Sequence, residues 1–374
     1  MRLLLIGDCN SIHLIKWARA LHAKNIEIGL FSLSNINHSH FENLDNLTIQ
    51  SIQLSSTLFK SGEGSFKKIS YLKALPRLKS FIKTFKPQIL HAHYASSYGL
   101  LGALSNFHPY IVSVWGSDIY DFPKRNFIFK QITKHTLGKA DQILSTSKVM
   151  AIETQQYTDK NIIETPFGVN LEKFKPIHSE KLEDGPLVVG TIKALEYKYG
   201  IDVLIDAFAE VKKMEDSGAI ELHLVGEGQE KAVLEAQVKK LGLTKYVKFL
   251  GRIDNNVVPK VLNSFDVYAA LSRWDSESFG VAIVEAQACE VPVVVSNTGG
   301  LPEVVSHNES GIVVESENKS EAAQAILQLI KDPNLRKAMG KAGRKRVSAF
   351  YDWNENVQKM VEVYTTILSK KDET

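Results

Sequence analysis

The sequence predicts an α/β protein made of two domains, each built on a parallel sheet. Its 374 residues exceed what one ordinary hydrophobic core accommodates. Short apolar runs alternate with segments of helical periodicity, a pattern typical of parallel sheets covered by helices. The alternation stops in the charged, proline-bounded segment 173–186 and resumes at Leu187. We therefore predict domains at residues 1–172 and 173–352, joined by a hinge near residues 170–176.

The individual elements follow from the same periodicities. In the first half, strands are expected at residues 3–6, 27–31, 89–93, 111–114 and 142–145, with helices at 12–23, within 72–85, at 99–105 and at 127–137. In the second half, strands are expected at 187–190, 221–225, 247–250, 267–270, 291–295 and 311–314, with a helix at 201–210. A last helical pattern covers residues 352–369.

Composition excludes several classes of protein. The chain is 44% apolar and 23% charged, as soluble globular proteins are. No apolar run approaches the ~20 residues that span a bilayer. Cys9 and Cys289 are too far apart in sequence for a disulfide framework or a zinc motif. The first loop, residues 7–13, lacks the Gly-x-Gly-x-x-Gly of nicotinamide dehydrogenases. We expect a cytoplasmic protein.

Positive charge is concentrated in the first half. Residues 1–175 hold 21 Lys/Arg and 12 Asp/Glu, whereas the remainder holds 24 and 30. Between Lys67 and Lys86, lysines and an arginine fill the spaces between apolar residues that lie three and four apart. This pattern fits an amphipathic helix packed on its own sheet, broken or started afresh at Pro76. It also suits contact with an anionic membrane, an anionic acceptor or nucleic acid.

The most informative stretch is residues 275–286. A loop carboxylate, Glu277, leads through Ser278, Phe279 and Gly280 into an apolar helix that carries Glu285. Glu285 lies roughly 7–8 Å along the helix axis from Gly280. Unpaired N–H groups at a helix start attract phosphate, and carboxylates beside them suit sugar hydroxyls. The stretch therefore predicts a nucleotide-sugar site. The alternative is that Glu277 caps the helix and Glu285 is solvated.

This stretch, with segments 290–296 and 298–303, closely resembles the signature block of the retaining glycosyltransferases of family four. The resemblance extends over nearly the whole chain. It implies the GT-B fold, in which two Rossmann-like domains face each other across a cleft. It also implies that the first domain binds the acceptor, that the second binds the nucleotide sugar, and that a terminal helix at about 353–374 crosses back to the first domain.

The same resemblance implies roles on the donor side. Glu277 would contact hydroxyls of the donor sugar and Glu285 the ribose, while Lys193 and Lys198 would hold the diphosphate unless they are solvated loop lysines. The other implied donor-side residues are Gly226 in a Gly-x-Gly turn, the backbone of Arg252 and Ile253 against the base, and the helix start at Ser278, Phe279 and Gly280. The chain departs from the family pattern at Tyr199, which separates Lys198 from Gly200.

On the acceptor side, Ser11 and His13 lie in a loop where family members often carry a Gly-Gly pair. Asp118 matches the aspartate of a strand-end His-Gly-x-Asp element, but Trp115 stands in place of its histidine. His13 would either assist an acceptor hydroxyl or serve as a packed or capping residue. Trp115 would either stack on a sugar ring or lie in the core.

The resemblance implies transfer of a hexose-type sugar from a nucleoside diphosphate sugar, UDP preferred and GDP possible, to an acceptor hydroxyl. Retention would follow from same-face attack, with the leaving phosphate taking the acceptor proton. Cationic side chains would replace a metal, no cofactor is expected, and His91 and His93 would be structural or cleft-lining. The implied setting is a lipid-linked glycan in bacterial surface-polysaccharide synthesis, such as O-antigen or capsule, with peripheral membrane contact and no nucleic acid.

Two other classes of function fit the residues. A nucleotide-sugar epimerase on a similar scaffold would turn over the donor alone, without an acceptor. A non-catalytic protein that binds membrane or nucleic acid through its basic segment would turn over nothing.

Overall fold

The computed structural model describes residues 1–42, 44–54, 71–177, 185–214 and 220–372 and divides into two compact units. Unit 1 comprises Met1–Pro166 and Glu355–Thr374, and unit 2 comprises Phe167–Asn354. Every strand pairing within their two large sheets is parallel. The predicted α/β class with two parallel sheets is confirmed.

Unit 1 holds the first sheet. Its described strands are β1 (Arg2–Ile6), β2 (Glu27–Ser32), β3 (Thr48–Ser51), β4 (Ile89–His93), β5 (Tyr110–Val114), β6 (Gln142–Ser145) and β7 (Ile162–Glu164). They lie in the order β3-β2-β1-β4-β5-β6-β7. The helices between them are α1 (Ile12–His22), α2 (Leu75–Phe85), α3 (Leu100–Ser105), α4 (Ser117–Tyr120), α5 (Phe127–Lys139) and α6 (Lys148–Thr154).

Unit 2 holds the second sheet. Its described strands are β8 (Leu187–Ile192), β9 (Ile220–Val225), β10 (Val247–Gly251), β11 (Val267–Ala270), β12 (Val293–Ser296) and β13 (Gly311–Val314). They lie in the order β10-β9-β8-β11-β12-β13. The helices are α7 (Ile201–Met214), α8 (Lys231–Lys240), α9 (Val258–Leu262), α10 (Val281–Ala288), α11 (Leu301–Val304), α12 (Lys319–Lys331) and α13 (Pro333–Phe350), and α14 (Trp353–Asp372) follows.

The central strands are buried and apolar because helices cover both faces of a parallel sheet. Leu3, Leu4, Leu5 and Ile6 of β1 have no exposed surface. The sequence analysis missed β3 and β7, which are the two edge strands of the first sheet and are only partly buried. Short edge strands need no apolar run, so periodicity does not reveal them.

Both sheets reverse their strand order at the centre. In unit 1 the chain builds outward from β1 on one side and from β4 on the other, and in unit 2 from β8 and from β11. The loops after the two central strands therefore leave in opposite directions and open a crevice at the carboxyl edge. Ligands of open α/β sheets bind at such a reversal point.

Helix α2 resolves part of the question about the basic segment. It begins at Leu75 with Pro76 in its first turn, so the predicted fresh start at this proline is correct. Leu78, Phe81 and Phe85 are buried against the first sheet. Lys73, Arg77, Lys79, Lys83 and Lys86 remain exposed. The beginning of the predicted amphipathic segment lies outside the described residues, namely Phe66, Lys67, Lys68 and Ile69.

No helix in the described ranges is both long enough and apolar enough to cross a membrane.

Helix α14 packs on unit 1 through a buried imidazole. The Tyr364 hydroxyl lies 2.7 Å from Nδ1 of His91, whose Nε2 lies 2.8 Å from the Ser113 hydroxyl. Burial and the neighbouring His93 lower the pKa of His91 well below its ordinary value, so the ring is neutral. Strand β4, strand β5 and the far end of the chain are joined by this one side chain.

We predict that Tyr364→Phe weakens unit 1, because it leaves a buried nitrogen of His91 without its hydrogen bond. The expected loss in the free energy of unfolding is about 1–3 kcal/mol. Urea unfolding followed by circular dichroism measures it. Thr365→Ala is the control, since Thr365 is exposed on the same helix and bonds only within it. Equal stability of the Tyr364→Phe variant and the parent would contradict this account.

Candidate active site

Lys193 and Glu277 meet at the reversal point of the second sheet. Lys193 directly follows β8, Glu277 lies in the loop after β11, and Nζ of the lysine is 2.7 Å from Oε1 of the carboxylate. The two side chains are 11% and 15% exposed. Burial acts to lower the pKa of Lys193, but the charge and hydrogen bond of Glu277 together with the nearby Tyr268 and Tyr199 outweigh burial and raise it. The lysine is therefore a cation at neutral pH.

Lys198 shares an aromatic neighbour with Lys193. The centroid of the Tyr199 ring lies 4.9 Å from Nζ of Lys193 and 4.8 Å from Nζ of Lys198. Lys198 also lies 3.5 Å from the carboxylate of Glu196. Burial acts to lower the pKa of Lys198, but Tyr199 and Glu196 outweigh burial and raise it. Both predicted diphosphate cations therefore contact one ring.

A small pocket opens beside these groups. Its lining residues are Lys198, Tyr199, Trp274, Ser276 and Glu277. The sequence predicted two of them, Lys198 and Glu277. It missed Trp274 and Ser276, for which no spacing gave a signal. The departure from the family pattern at Tyr199 was a signal, but no role was inferred from it.

Gly226 shapes the loop next to Lys193. Its φ of +145° places it in the region that favours glycine, and a Cβ would lie only 1.9 Å from the Lys193 carbonyl oxygen. Its N–H donates to Gly251, at the end of β10, across 2.8 Å. The Gly-x-Gly turn therefore lets the loops after β8, β9 and β10 pack together. Arg252, exposed, and Ile253, half-buried, follow β10 at the same edge.

The helix start at Gly280 is fixed by a second turn beneath it. Gly280 is the N-cap of α10, and Phe279 packs edge-on against Phe167 and Tyr351. The N–H of Gly300 donates to the Glu277 carbonyl across 2.9 Å. Ser278 is buried and Glu285 is half-buried on α10. The Phe279 side chain is thus part of the core.

Arg273 connects residues 193–200, the loop that carries Lys193 and Lys198, to the loop after β11. The sequence analysis did not single out this arginine. Its guanidinium donates to both carboxylate oxygens of Asp202, at 2.7 and 2.6 Å, and to Glu317 at 2.7 Å. It also donates to the Tyr197 carbonyl across 2.8 Å. The Arg273 backbone N–H donates to the Lys198 carbonyl across 2.8 Å. The side chain is 8% exposed.

In unit 1, an aromatic group lies at the reversal point of the first sheet. The rings of His13 and Trp115 meet edge-on at 5.8 Å, and those of Trp115 and His93 lie 4.8 Å apart. His93 ends β4, and burial lowers its pKa to about 3. Neither ring nitrogen of His93 has a hydrogen-bond partner among the described residues. The structure thus brings together the predicted His13 and Trp115 with His93.

Asp118 acts on the backbone around Trp115. It has no exposed surface, and its Oδ1 accepts the N–H groups of Trp115 at 3.1 Å and Gly116 at 2.8 Å. Its Oδ2 accepts the N–H of Ala95 at 2.7 Å. Ser11 precedes α1, and its N–H donates to the Asp8 carbonyl. Asp118 therefore holds the loops after β4 and β5 together.

Within the described part of the chain, no three His, Cys, Asp or Glu side chains come together as a metal ion would require.

Comparison with known proteins assigns the family. The profile described as "Glycosyl transferases group 1" matches residues 173–346, and the profile "Glycosyl transferase 4-like" matches residues 2–147. The chain belongs to the group 1 glycosyltransferases of family four, so it is a transferase. The resemblance of the signature block is confirmed.

Individual relatives agree with this assignment. A glycosyltransferase of Methanocaldococcus jannaschii is 29% identical over 306 residues, which are 80% of this chain and 81% of the relative. A GDP-mannose-dependent phosphatidylinositol monomannoside mannosyltransferase of Mycobacterium tuberculosis is 30% identical over 53% of this chain and 54% of its own length. The structure of HepE from Anabaena, a complex with UDP, has a TM-score of 0.80 at 19% identity and covers 98% of this chain and 100% of its own. That likeness confirms the GT-B fold.

We predict that Asp118→Asn destabilises unit 1. An amide offers one acceptor oxygen and directs N–H groups at a backbone donor, so at least one buried N–H loses its partner. The expected cost is about 2–3 kcal/mol in the free energy of unfolding, measured by urea unfolding. Asp159→Asn, an exposed site in the same unit, is the control. Coincident unfolding curves for Asp118→Asn and the parent would show that the carboxylate does not hold these loops.

Proposed function

We propose that this protein is a retaining glycosyltransferase that moves a hexose-type sugar from a nucleoside diphosphate sugar to an acceptor hydroxyl. The observation that carries the proposal is the pocket at the reversal point of the second sheet, where Lys198 and Glu277 line the wall and Lys193 pairs with Glu277. Cations for a diphosphate and a carboxylate for sugar hydroxyls thus lie in one place.

In the proposed reaction, Lys193 and Lys198 stabilise the departing diphosphate while the acceptor attacks the sugar. The bond between the anomeric carbon and the diphosphate oxygen breaks, and its electron pair leaves with the phosphate. Lys193 and Lys198 stabilise this developing charge without a metal cofactor. An ammonium has three N–H donors, so Lys193 can keep Glu277 and still bind phosphate. The acceptor oxygen bonds to the same face of the carbon, and its proton passes to the leaving phosphate.

The other donor-side residues complete the proposed site. Glu285 binds the ribose, and the backbone of Arg252 and Ile253 binds the base. On the acceptor side, Trp115 offers a partly exposed indole on which a sugar ring can stack. Next to it, the buried, neutral imidazole of His93 packs against the indole. His13 packs against the indole and orients it.

The identity of the nucleotide is part of the proposal. UDP is proposed first, and the HepE structure holds UDP, whereas the M. tuberculosis relative is named as GDP-mannose-dependent. A panel of UDP- and GDP-sugars, screened by thermal stabilisation, separates the two because a ligand of the native state raises the melting temperature. Turnover of the donor without an acceptor would favour an epimerase.

The proposed acceptor is a lipid-linked glycan in bacterial surface-polysaccharide synthesis, with the protein bound peripherally to an anionic membrane. Support comes from helix α2, whose buried apolar side faces its own sheet and whose exposed cations remain available. Each such cation near anionic lipid contributes about 1 kcal/mol. Docking of unit 1 would bring its acceptor-side residues close to a lipid-borne headgroup.

We expect Glu285→Ala to weaken binding of the free nucleoside diphosphate about tenfold or more, because a charge-assisted hydrogen bond worth about 1.5–3 kcal/mol is lost. Glu277→Ala should mainly reduce turnover, since its proposed partner is the reacting sugar. Isothermal titration of UDP and GDP separates these roles. Glu235→Ala, an exposed carboxylate on α8, is the control. If Glu285→Ala binds the nucleoside diphosphate as tightly as the parent, Glu285 does not bind the ribose.

For membrane binding, we expect the parent protein to sediment with anionic vesicles but not with neutral ones, and to be released by high salt. Changing Lys73, Arg77 and Lys79 to Glu should abolish sedimentation. The matched control changes the exposed cations Lys239, Lys240 and Lys245 of unit 2 to Glu, which alters net charge equally. If both triple variants pellet like the parent, the exposed cations of α2 only keep the protein soluble.

A further inference from the structure

Tyr199 lies between the pocket lysine Lys198 and Gly200, which directly precedes α7. Its ring is half-buried, packs against the core of unit 2, and contacts the ammonium groups of both Lys193 and Lys198 at 4.9 and 4.8 Å. The two lysines come from opposite ends of one loop, and this ring is the contact that they share.

The backbone around Tyr199 is held rigidly. Gly200 has a φ of +61°, and a Cβ there would lie 1.9 Å from the Leu271 carbonyl oxygen. The Arg273 N–H and guanidinium bond the carbonyls of Lys198 and Tyr197, the two residues before Tyr199. The ring therefore has little freedom to move when a ligand enters.

We propose that Tyr199 is a positioning residue that holds Lys193 and Lys198 in place through cation–π contacts, so that both cations are directed at the diphosphate before it binds. The inference rests on the proposed function of the pocket and adds a determinant of its affinity for diphosphates.

The physical need for such a residue follows from the properties of lysine. Its four-carbon stem is flexible, and ordering it for a ligand costs conformational entropy. Two ammonium groups around one pocket also repel each other. The negative face of an aromatic ring attracts both. Groups that are in place before charge develops stabilise it better than groups that must reorganise.

A fluorination series at position 199 tests the proposal. Fluorine withdraws electron density from a ring face without changing its shape greatly, so it weakens a cation–π contact stepwise. Phenylalanine and its mono-, di- and trifluoro derivatives replace Tyr199, and the Kd for UDP, GDP and inorganic pyrophosphate is titrated for each. Tyr199→Phe removes the hydroxyl that pairs with Lys198, so it is the reference of the series, and relative to it we expect the logarithm of Kd to rise with each fluorine. Tyr199→Leu should weaken binding by about tenfold.

The control is Tyr246→Leu, because Tyr246 also contacts a lysine, Lys212 at 4.3 Å, away from the pocket lining. It should leave every Kd unchanged. A flat fluorination series, or a Tyr199→Leu variant that binds like the parent, would overturn the positioning role. Melting temperatures of all variants show whether each one folds.

A measurement without ligand keeps the two proposals separate. In protein with labelled lysine, the ε-methylene signals of Lys193 and Lys198, assigned through Lys→Arg variants, should carry the ring-current shift of Tyr199 and lose it in Tyr199→Leu. Unshifted signals in the parent would overturn the positioning role even where nucleotide binds. A parent protein that shows the shifts but binds neither nucleotide would overturn the proposed function alone.

Discussion

The reversal of strand order between β8 and β11 is the constraint on which the donor side depends. Strands β8 and β11 are neighbours, so the loops that carry Lys193 and Arg273 begin side by side at the carboxyl edge of the sheet. These loops then run in opposite directions and leave a crevice between them. The Gly226 turn and the Gly299–Gly300 turn then fill the space below, because only glycine fits so close to the neighbouring carbonyls. The site is consequently built on loops that pack closely against one another.

Charge in this region is compensated in pairs. Lys193 has Glu277, Lys198 has Glu196, and Arg273 has Asp202 and Glu317. One member of each of the first two pairs, Glu277 and Lys198, lines the pocket, whereas the Arg273 guanidinium connects two loops next to it. A dianionic ligand can recruit the lysines without leaving a buried charge unpaired, since each ammonium has further donors. Loss of one carboxylate partner would instead leave an uncompensated cation in a largely desolvated place.

The sequence predicted the features that depend on local pattern. Alternating periodicities predicted the two parallel sheets, the arrangement of Glu277 and Glu285 predicted a nucleotide-sugar site, and the resemblance of residues 275–303 to a signature block identified the family. Features that depend on tertiary packing were missed. Arg273 looked like any loop arginine, because its partners Asp202 and Glu317 lie 71 and 44 residues away in sequence. Asp118 matched a motif, but its burial beneath three backbone N–H groups depends on where the loop after β4 passes. The positions of Ser11, Arg252, Ile253 and Glu285 relative to a substrate stay predictions.

The paired imidazoles on β4 couple the stability of unit 1 to acidity. In an unfolded chain His91 and His93 would each bind a proton near pH 6.5, but in the native state burial lowers the pKa of both, that of His93 to about 3. As pH falls below about 6.5, His91 and His93 bind protons in the unfolded chain but not in the native one. The folding equilibrium therefore shifts toward the unfolded state. Above that value the effect vanishes. The folding stability of unit 1 is thus greater at neutral pH than in acid because of two buried histidines. This dependence is separate from the pH dependence of activity.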